Sequence, residues 1–282
     1  MIPQRNISLL SNRLASKGGR RIPETVLERD YCLSWLLVGM SRSPLHRRLA
    51  FKGGTAIKRC YFADYRFSED LDFTLATPTP LETILVEFKD IYEAVQSASG
   101  VSFRYSRSPQ KQHQNSHTFY LAYEGPLAGT SRNEVKIDIT INERFVCPLQ
   151  ERALLSGYDE YNDLPENELI QVYSLEEIAI EKLLALTDRA RNEPRDLYDL
   201  CYLTSEGNID LAMLIPGIVN KLKFRGRTLA GIGEEFTRKE ARYRKLWEGR
   251  LASQMITLPH FDEVYRTVRR VMREAGLMVK QD

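Results

Sequence analysis

Apolar residues recur along the chain with two different periods. In NEVKIDITINE (133–143), Val135, Ile137, Ile139 and Ile141 alternate with Lys136, Asp138, Thr140 and Asn142. That two-residue period is the signature of a strand with one buried face. In FSEDLDFTL (67–75), Leu71, Phe73 and Leu75 alternate with Asp70, Asp72 and Thr74, which predicts a second strand of the same kind. Residues 101–106 and TFYLAYEG (118–125) read as further strands. A helix is expected at 81–98, after the TPTP break at 77–80. Another opens near Pro23, with Val26, Leu27, Leu33, Leu36 and Leu37 as its apolar positions. From Ser174 the period becomes helical. SLEEIAIEKLLALTDRA opens with a capping box, Ser174 to Glu177. EPRDLYDLCYLTSEG reads as a helix from Pro194 to near Gly207. The stretch 148–168 shows little period and reads as connecting chain.

These elements predict an α/β (α+β) core at 41–150, an N-terminal helical segment at 1–40 and a helical domain at 151–282. A chain of 282 residues, 43% hydrophobic and 28% charged, is long and apolar enough for a sizeable core. Cys32, Cys60, Cys147 and Cys201 are widely spaced. They form neither a disulfide framework nor a zinc signature, and a reducing cytoplasm is the expected location. No signal peptide is read at the start, and apolar runs such as LSWLLVGM are too short to span a bilayer. The net charge of +2 hides strong segregation. Residues 1–60 carry 12 basic against 3 acidic residues, 61–220 carry 13 against 27, and 221–282 carry 15 against 8. An acidic middle with basic ends suggests metal chemistry flanked by a surface for a polyanion; two solvated helical faces are the plainer account.

The alternation puts Asp70 and Asp72 on one face of their strand and Asp138 on the polar face of another. If the strands are neighbours, three carboxylates converge, and their repulsion calls for a cation. Hard oxygen donors suit Mg²⁺ or Mn²⁺, and two such ions clamp the attacking and leaving oxygens of a phosphoryl displacement. An exposed polar face of an edge strand is the alternative. Gly53, Gly54 and Thr55 precede a helical run. Side-chain-free N–H groups at a helix start form an anion site, to which a threonine adds a hydroxyl. Neither GxxxxGK[ST] nor GxGxxG is present. Lys182 lies in or beside the apolar stripe of Leu175, Ile178, Ala179, Leu183 and Leu186. It needs a partner there, either a triphosphate or the Asp196 carboxylate, or else it snorkels outward. Asp196 also suits the first turn of its helix simply through the helix dipole. His113 and His117 sit in a polar stretch with no third ligand and read as surface residues.

KGGTAIKRCYF, YRFSEDLDF, VKIDIT and EEIAIEKLLAL…RNEPRDLYDL, in that order, resemble the AbiEii/AbiGii-type nucleotidyltransferases over about residues 45–203. These are the toxins of abortive-infection and MenAT-like toxin–antitoxin systems. The resemblance implies a DNA polymerase β-like minimal nucleotidyltransferase fold that moves a nucleoside monophosphate from an NTP to an acceptor hydroxyl. It implies that Gly53, Gly54 and Thr55 hold the triphosphate, that Asp70, Asp72 and Asp138 bind metal, and that Lys136 belongs to the same KxD strand. It also implies that Lys182 steadies the triphosphate and, with Asp196 of the Arg195–Asp196 pair, takes part in catalysis, that Lys136 helps to bind the nucleotide, and that Ser68 matches a serine some antitoxins phosphorylate. RNA, with the 3′ end of tRNA foremost, is the implied acceptor, and blocked translation the outcome. A cognate antitoxin is the implied partner, acting by binding or by modification. The basic ends, with Phe224, Tyr243, Trp247 and Tyr265 interleaved, suggest an RNA track including Lys221, Lys223, Arg225, Arg227, Arg242 and Arg244. The rivals are nucleotidylylation of a protein hydroxyl, a nucleotide-binding regulatory module without catalysis, and a DxD glycosyltransferase. The last does not account for the glycine turn or Lys182.

Overall fold

A computed structural model of the chain describes residues 1–16, 18–111, 113–129 and 133–278. In chain order the elements are α1 (Gln4–Ser16), α2 (Glu24–Ser41), α3 (Leu45–Arg48), β1 (Leu49–Lys52), α4 (Gly53–Cys60), β2 (Leu71–Leu75), α5 (Leu81–Ser99), β3 (Ser102–Arg107), β4 (Ser116–Glu124), β5 (Glu134–Thr140), β6 (Gln150–Ala153) and β7 (Leu169–Val172). Helices then follow: α6 (Leu175–Leu186), α7 (Pro194–Ser205), α8 (Ile215–Phe224), α9 (Ile232–Arg238), α10 (Glu240–Leu251) and α11 (Phe261–Glu274). The chain divides into two compact units. The first holds Met1–Glu143, Leu149–Val172 and Gln254–Ile256; the second holds Arg144–Pro148, Tyr173–Ser253 and the chain from Thr257 on.

The first unit is built on a mixed sheet in the order β3-β4-β5-β2-β1-β7-β6. β2 runs parallel to β5 and β1 parallel to β7, while the remaining pairs are antiparallel. Along β5 burial alternates residue by residue, with Val135, Ile137 and Ile139 buried and Lys136, Asp138 and Thr140 half-buried. β2 follows the same rule at Leu71, Asp72 and Phe73 but departs from it at Thr74, which is fully buried. Phe51 of β1 stacks on Phe73 of β2, and Phe88 of α5 meets Phe119 of β4 edge-on. α2 is buried at nearly every position, as its run of Leu33, Trp35, Leu36, Leu37, Val38 and Met40 requires. The connecting stretch at 148–168 contains β6, which pairs with β7 and so extends the sheet.

In the second unit Ser174 Oγ accepts the Glu177 N–H at 3.2 Å, the N-cap expected of this serine. The box closes on that side alone, because the Glu177 carboxylate has other work. It is fully buried and accepts the N–H groups of Val146 and Cys147 and the ammonium of Lys221. α7 packs against α6, α10 and α11. The core includes Leu197, Leu200, Tyr243, Trp247, Val268 and Met272.

Candidate active site

The parallel register of β2 and β5 sets Asp72 opposite Asp138, with Leu71 opposite Ile137 and Phe73 opposite Ile139 on the apolar face. On the other side of β2, Lys52 of β1 is the register partner of Asp72. Two lysines thus flank the acids. Lys52 Nζ donates to Thr140 Oγ1 at 2.8 Å, and Lys136 Nζ lies 2.6 Å from Asp138 Oδ2. Burial alone would depress the Lys136 ammonium, but the carboxylates of Asp138, Asp72 and Asp70 outweigh it and raise its pKa.

α4 begins where β1 ends, and the glycines set how closely it approaches the acids. Gly53 has φ +82°, in the left-handed region. A side-chain carbon there would lie 2.6 Å from Asp72 Oδ2, so only glycine serves both needs. On Gly54 such a carbon would lie 2.7 Å from Arg66 Nη2 and 3.2 Å from Ser68 Oγ. Thr55 is buried, and its hydroxyl donates to the Asp70 backbone carbonyl at 2.5 Å. That bond ties α4 to the acidic segment. Arg66 is buried and donates to Gln254 Oε1 at 2.9 Å and to the Phe67 carbonyl at 3.1 Å.

Asp72 and Asp138 are register neighbours, yet no group of three or more His, Cys, Asp or Glu side chains among the described residues forms a ready metal cage. Asp138 is drawn onto the Lys136 ammonium. Asp70 and Asp72 still suit a hard divalent cation by donor chemistry. They are half-buried oxygen donors, and Gly53 approaches Asp72 Oδ2 closely enough that a side-chain carbon would not fit between them.

The remaining motif residues lie in the second unit. Lys182 Nζ is 2.8 Å from Asp196 Oδ1 and 2.6 Å from Asp199 Oδ2, and Arg191 Nε is 2.6 Å from Asp196 Oδ2. Burial pushes the Asp196 carboxyl up, but Lys182 and Arg191 outweigh it and hold it below its ordinary value. Lys182 thus meets the Asp196 carboxylate, one of the two partners open to it in the sequence. Arg195 pairs with Glu193 at 2.9 Å. Asp199 was not among the candidates, although its spacing of three from Asp196 on a helix was a usable signal.

The expected RNA track needs revision. Lys221 is fully buried between Glu177 and Glu181, Arg225 pairs with Glu181, and Arg244 pairs with Asp262 and Glu240. Tyr243, Trp247 and Tyr265 are buried, leaving Phe224 as the exposed member of the four aromatics. Their helical spacing reflected core packing. Lys223 and Arg242 are exposed.

A glycine-headed helix set against paired acidic strands defines a nucleotidyltransferase-type site. A family model described as "Nucleotidyl transferase AbiEii toxin, Type IV TA system" matches residues 35–267, and the chain belongs to this family. It is accordingly an NTP-dependent nucleotidyltransferase and the toxin of a toxin–antitoxin pair, with an antitoxin as its partner. In fold it is similar to MenT4, a nucleotidyltransferase toxin from Mycobacterium tuberculosis H37Rv, with a TM-score of 0.64 and 16% identity over 98% of this chain and 90% of that one. No curated protein matches the chain in sequence. No helix among the described residues is long and apolar enough to cross a membrane.

Proposed function

We propose that the protein transfers a nucleoside monophosphate from an NTP to a hydroxyl of RNA, with the 3′ end of tRNA as the first candidate, and so blocks translation. The observation that carries this reading is the placement of Asp72 opposite Asp138, with Gly53 held against the Asp72 carboxylate. In this reading Asp70 and Asp72 would hold Mg²⁺ or Mn²⁺ through their carboxylate oxygens. The ion supplies charge neutralisation and orientation of the phosphates. The backbone N–H groups at the start of α4 receive the triphosphate, where the helix dipole favours an anion. Asp138 accepts the proton of the attacking hydroxyl, and Lys136, 2.6 Å from its Oδ2, holds the carboxylate in place. The hydroxyl oxygen bonds to the α-phosphorus as the bond to the pyrophosphate oxygen breaks. Lys182 joins α6 to α7 through Asp196 and Asp199, which makes it a structural member of the motif in this reading.

The RNA acceptor is supported by α11, where Arg266, Arg269, Arg270 and Arg273 are all exposed at spacings of three and four. Ser68 is the proposed point of antitoxin control. It is half-buried beside Gly54, so a phosphate there would place a dianion where the triphosphate binds. The test is incubation with each of four α-labelled NTPs and total RNA, followed by gel separation. Label is expected on an RNA band. Label on a protein band would establish a protein acceptor, and no label with any NTP would overturn the catalytic reading.

A further inference from the structure

α2 delivers two adjacent charged side chains to two different places. Glu28 is fully buried; its Oε1 accepts the Leu127 N–H at 2.8 Å and its Oε2 accepts from Asn133 Nδ2 at 3.0 Å. Asn133 is the residue immediately before β5. Arg29 reaches the other way, with Nη1 3.2 Å from Glu69 Oε2. Glu69 lies two residues before β2 and next to Asp70. β2 and β5 are parallel neighbours, so the two anchors act at the same end of the acidic strand pair. Gly125 leaves room for the first anchor, since a side-chain carbon on it would lie 2.8 Å from Glu28 Oε1. At the second, burial opposes the Arg29 charge, but Tyr123, Glu69 and Asp70 outweigh it. Neither residue falls within 35–267, the span matched by the family model.

We propose that Glu28 and Arg29 are positioning residues for nucleotidyl transfer, holding the lead-ins of β5 and β2 so that Asp138 and Asp70–Asp72 meet in register. The inference rests on the reading of those acids as the reactive centre. Arg29 also sets one positive charge beside an acidic segment that Lys136 neutralises from the opposite strand. Small displacements of reacting groups are costly, up to about 100-fold in rate per ångström. A residue that holds the acids acts on kcat, whereas one that grips the NTP acts on KM.

The experiment uses the full chain and follows transfer from labelled NTP to total RNA. Arg29→Met and Glu28→Gln are each expected to lower kcat by about 10-fold or more, with the KM for NTP within about twofold and a native melting transition. Arg29→Lys, which keeps the charge, should recover to within about threefold of wild type. Glu69→Gln should match Arg29→Met, and the double variant should lose no more than either single one. Should Arg29→Met fail to fold, Glu69→Gln removes the same pair from its other end. An unchanged kcat, a loss confined to KM, additive losses in the double variant, or no rescue by lysine would each overturn the proposal. Asp72→Asn is the parallel control. If it still transfers, the reading of the acids has failed; if it is silent while Arg29→Met is fully active, the positioning role alone has failed.

Discussion

At Gly53 a single backbone angle and a single close approach decide the geometry of the acids. Alanine there must adopt the left-handed conformation, which costs about 1–2 kcal/mol, and its methyl carbon would push into Asp72 Oδ2. Gly53→Ala is therefore expected to lower stability in urea unfolding by about that amount and to abolish transfer. Wild-type transfer in the variant would show that Asp72 tolerates displacement. Lys58 makes a second prediction at this scale. It is buried, donates to the carbonyls of Ala63 and Tyr65, and lies over the Phe67 ring. Burial pushes its pKa down to about 8, below the roughly 10.4 of an unfolded lysine. Between those values the unfolded chain binds more protons, so the contribution of Lys58 to stability rises with pH. Measured against Lys58→Met, which removes this titration, the stability of the wild type should gain roughly 1–2 kcal/mol from pH 7.5 to 9.5. A pH-independent difference would contradict it. The two-residue period was enough to place Asp72 and Asp138 on the polar faces of their strands, whereas the strand expected over 67–75 begins at Leu71 and leaves Asp70 just before it. Arg29, Glu28 and Arg66 were not legible, because their partners lie far along the chain and carry no local pattern.

The elements show where periodicity stops being informative. β2, β4 and β5 were legible because each alternates over several residues against a buried face. β1, β6 and β7 have four residues each, too few to tell a strand from connecting chain. In the helices the stripe rule worked, but it could not say which charges lie inside. Lys221 is the clearest case. Burial opposes its charge, and Glu181 and Glu177 outweigh that and raise its pKa. Removing the ammonium leaves the fully buried Glu177 carboxylate without its cation, so Lys221→Met is expected to lower stability by about 3–5 kcal/mol in urea unfolding. A loss of RNA binding with unchanged stability would instead restore Lys221 to the surface track.

For the whole molecule, the charge segregation read from the sequence survives, but the residues that express it change. Many basic groups of 221–282 are spent on ion pairs, and the exposed arginines of α11 remain for a polyanion. Arg269→Glu with Arg273→Glu should weaken RNA binding by about 1–3 kcal/mol per lost contact and flatten its dependence on salt. NTP affinity should be unchanged, since the glycine turn and the acids are untouched; an unaltered salt dependence would exclude α11 as the contact. The central claim is that Asp72, set opposite Asp138 and against Gly53, carries nucleotidyl transfer. Its most direct test is the rate of label transfer from the preferred α-labelled NTP to total RNA by wild type and by Asp72→Ala, each confirmed folded by its melting transition. The account predicts transfer by the wild type and none above background by the variant; transfer by Asp72→Ala at a rate near wild type would contradict it.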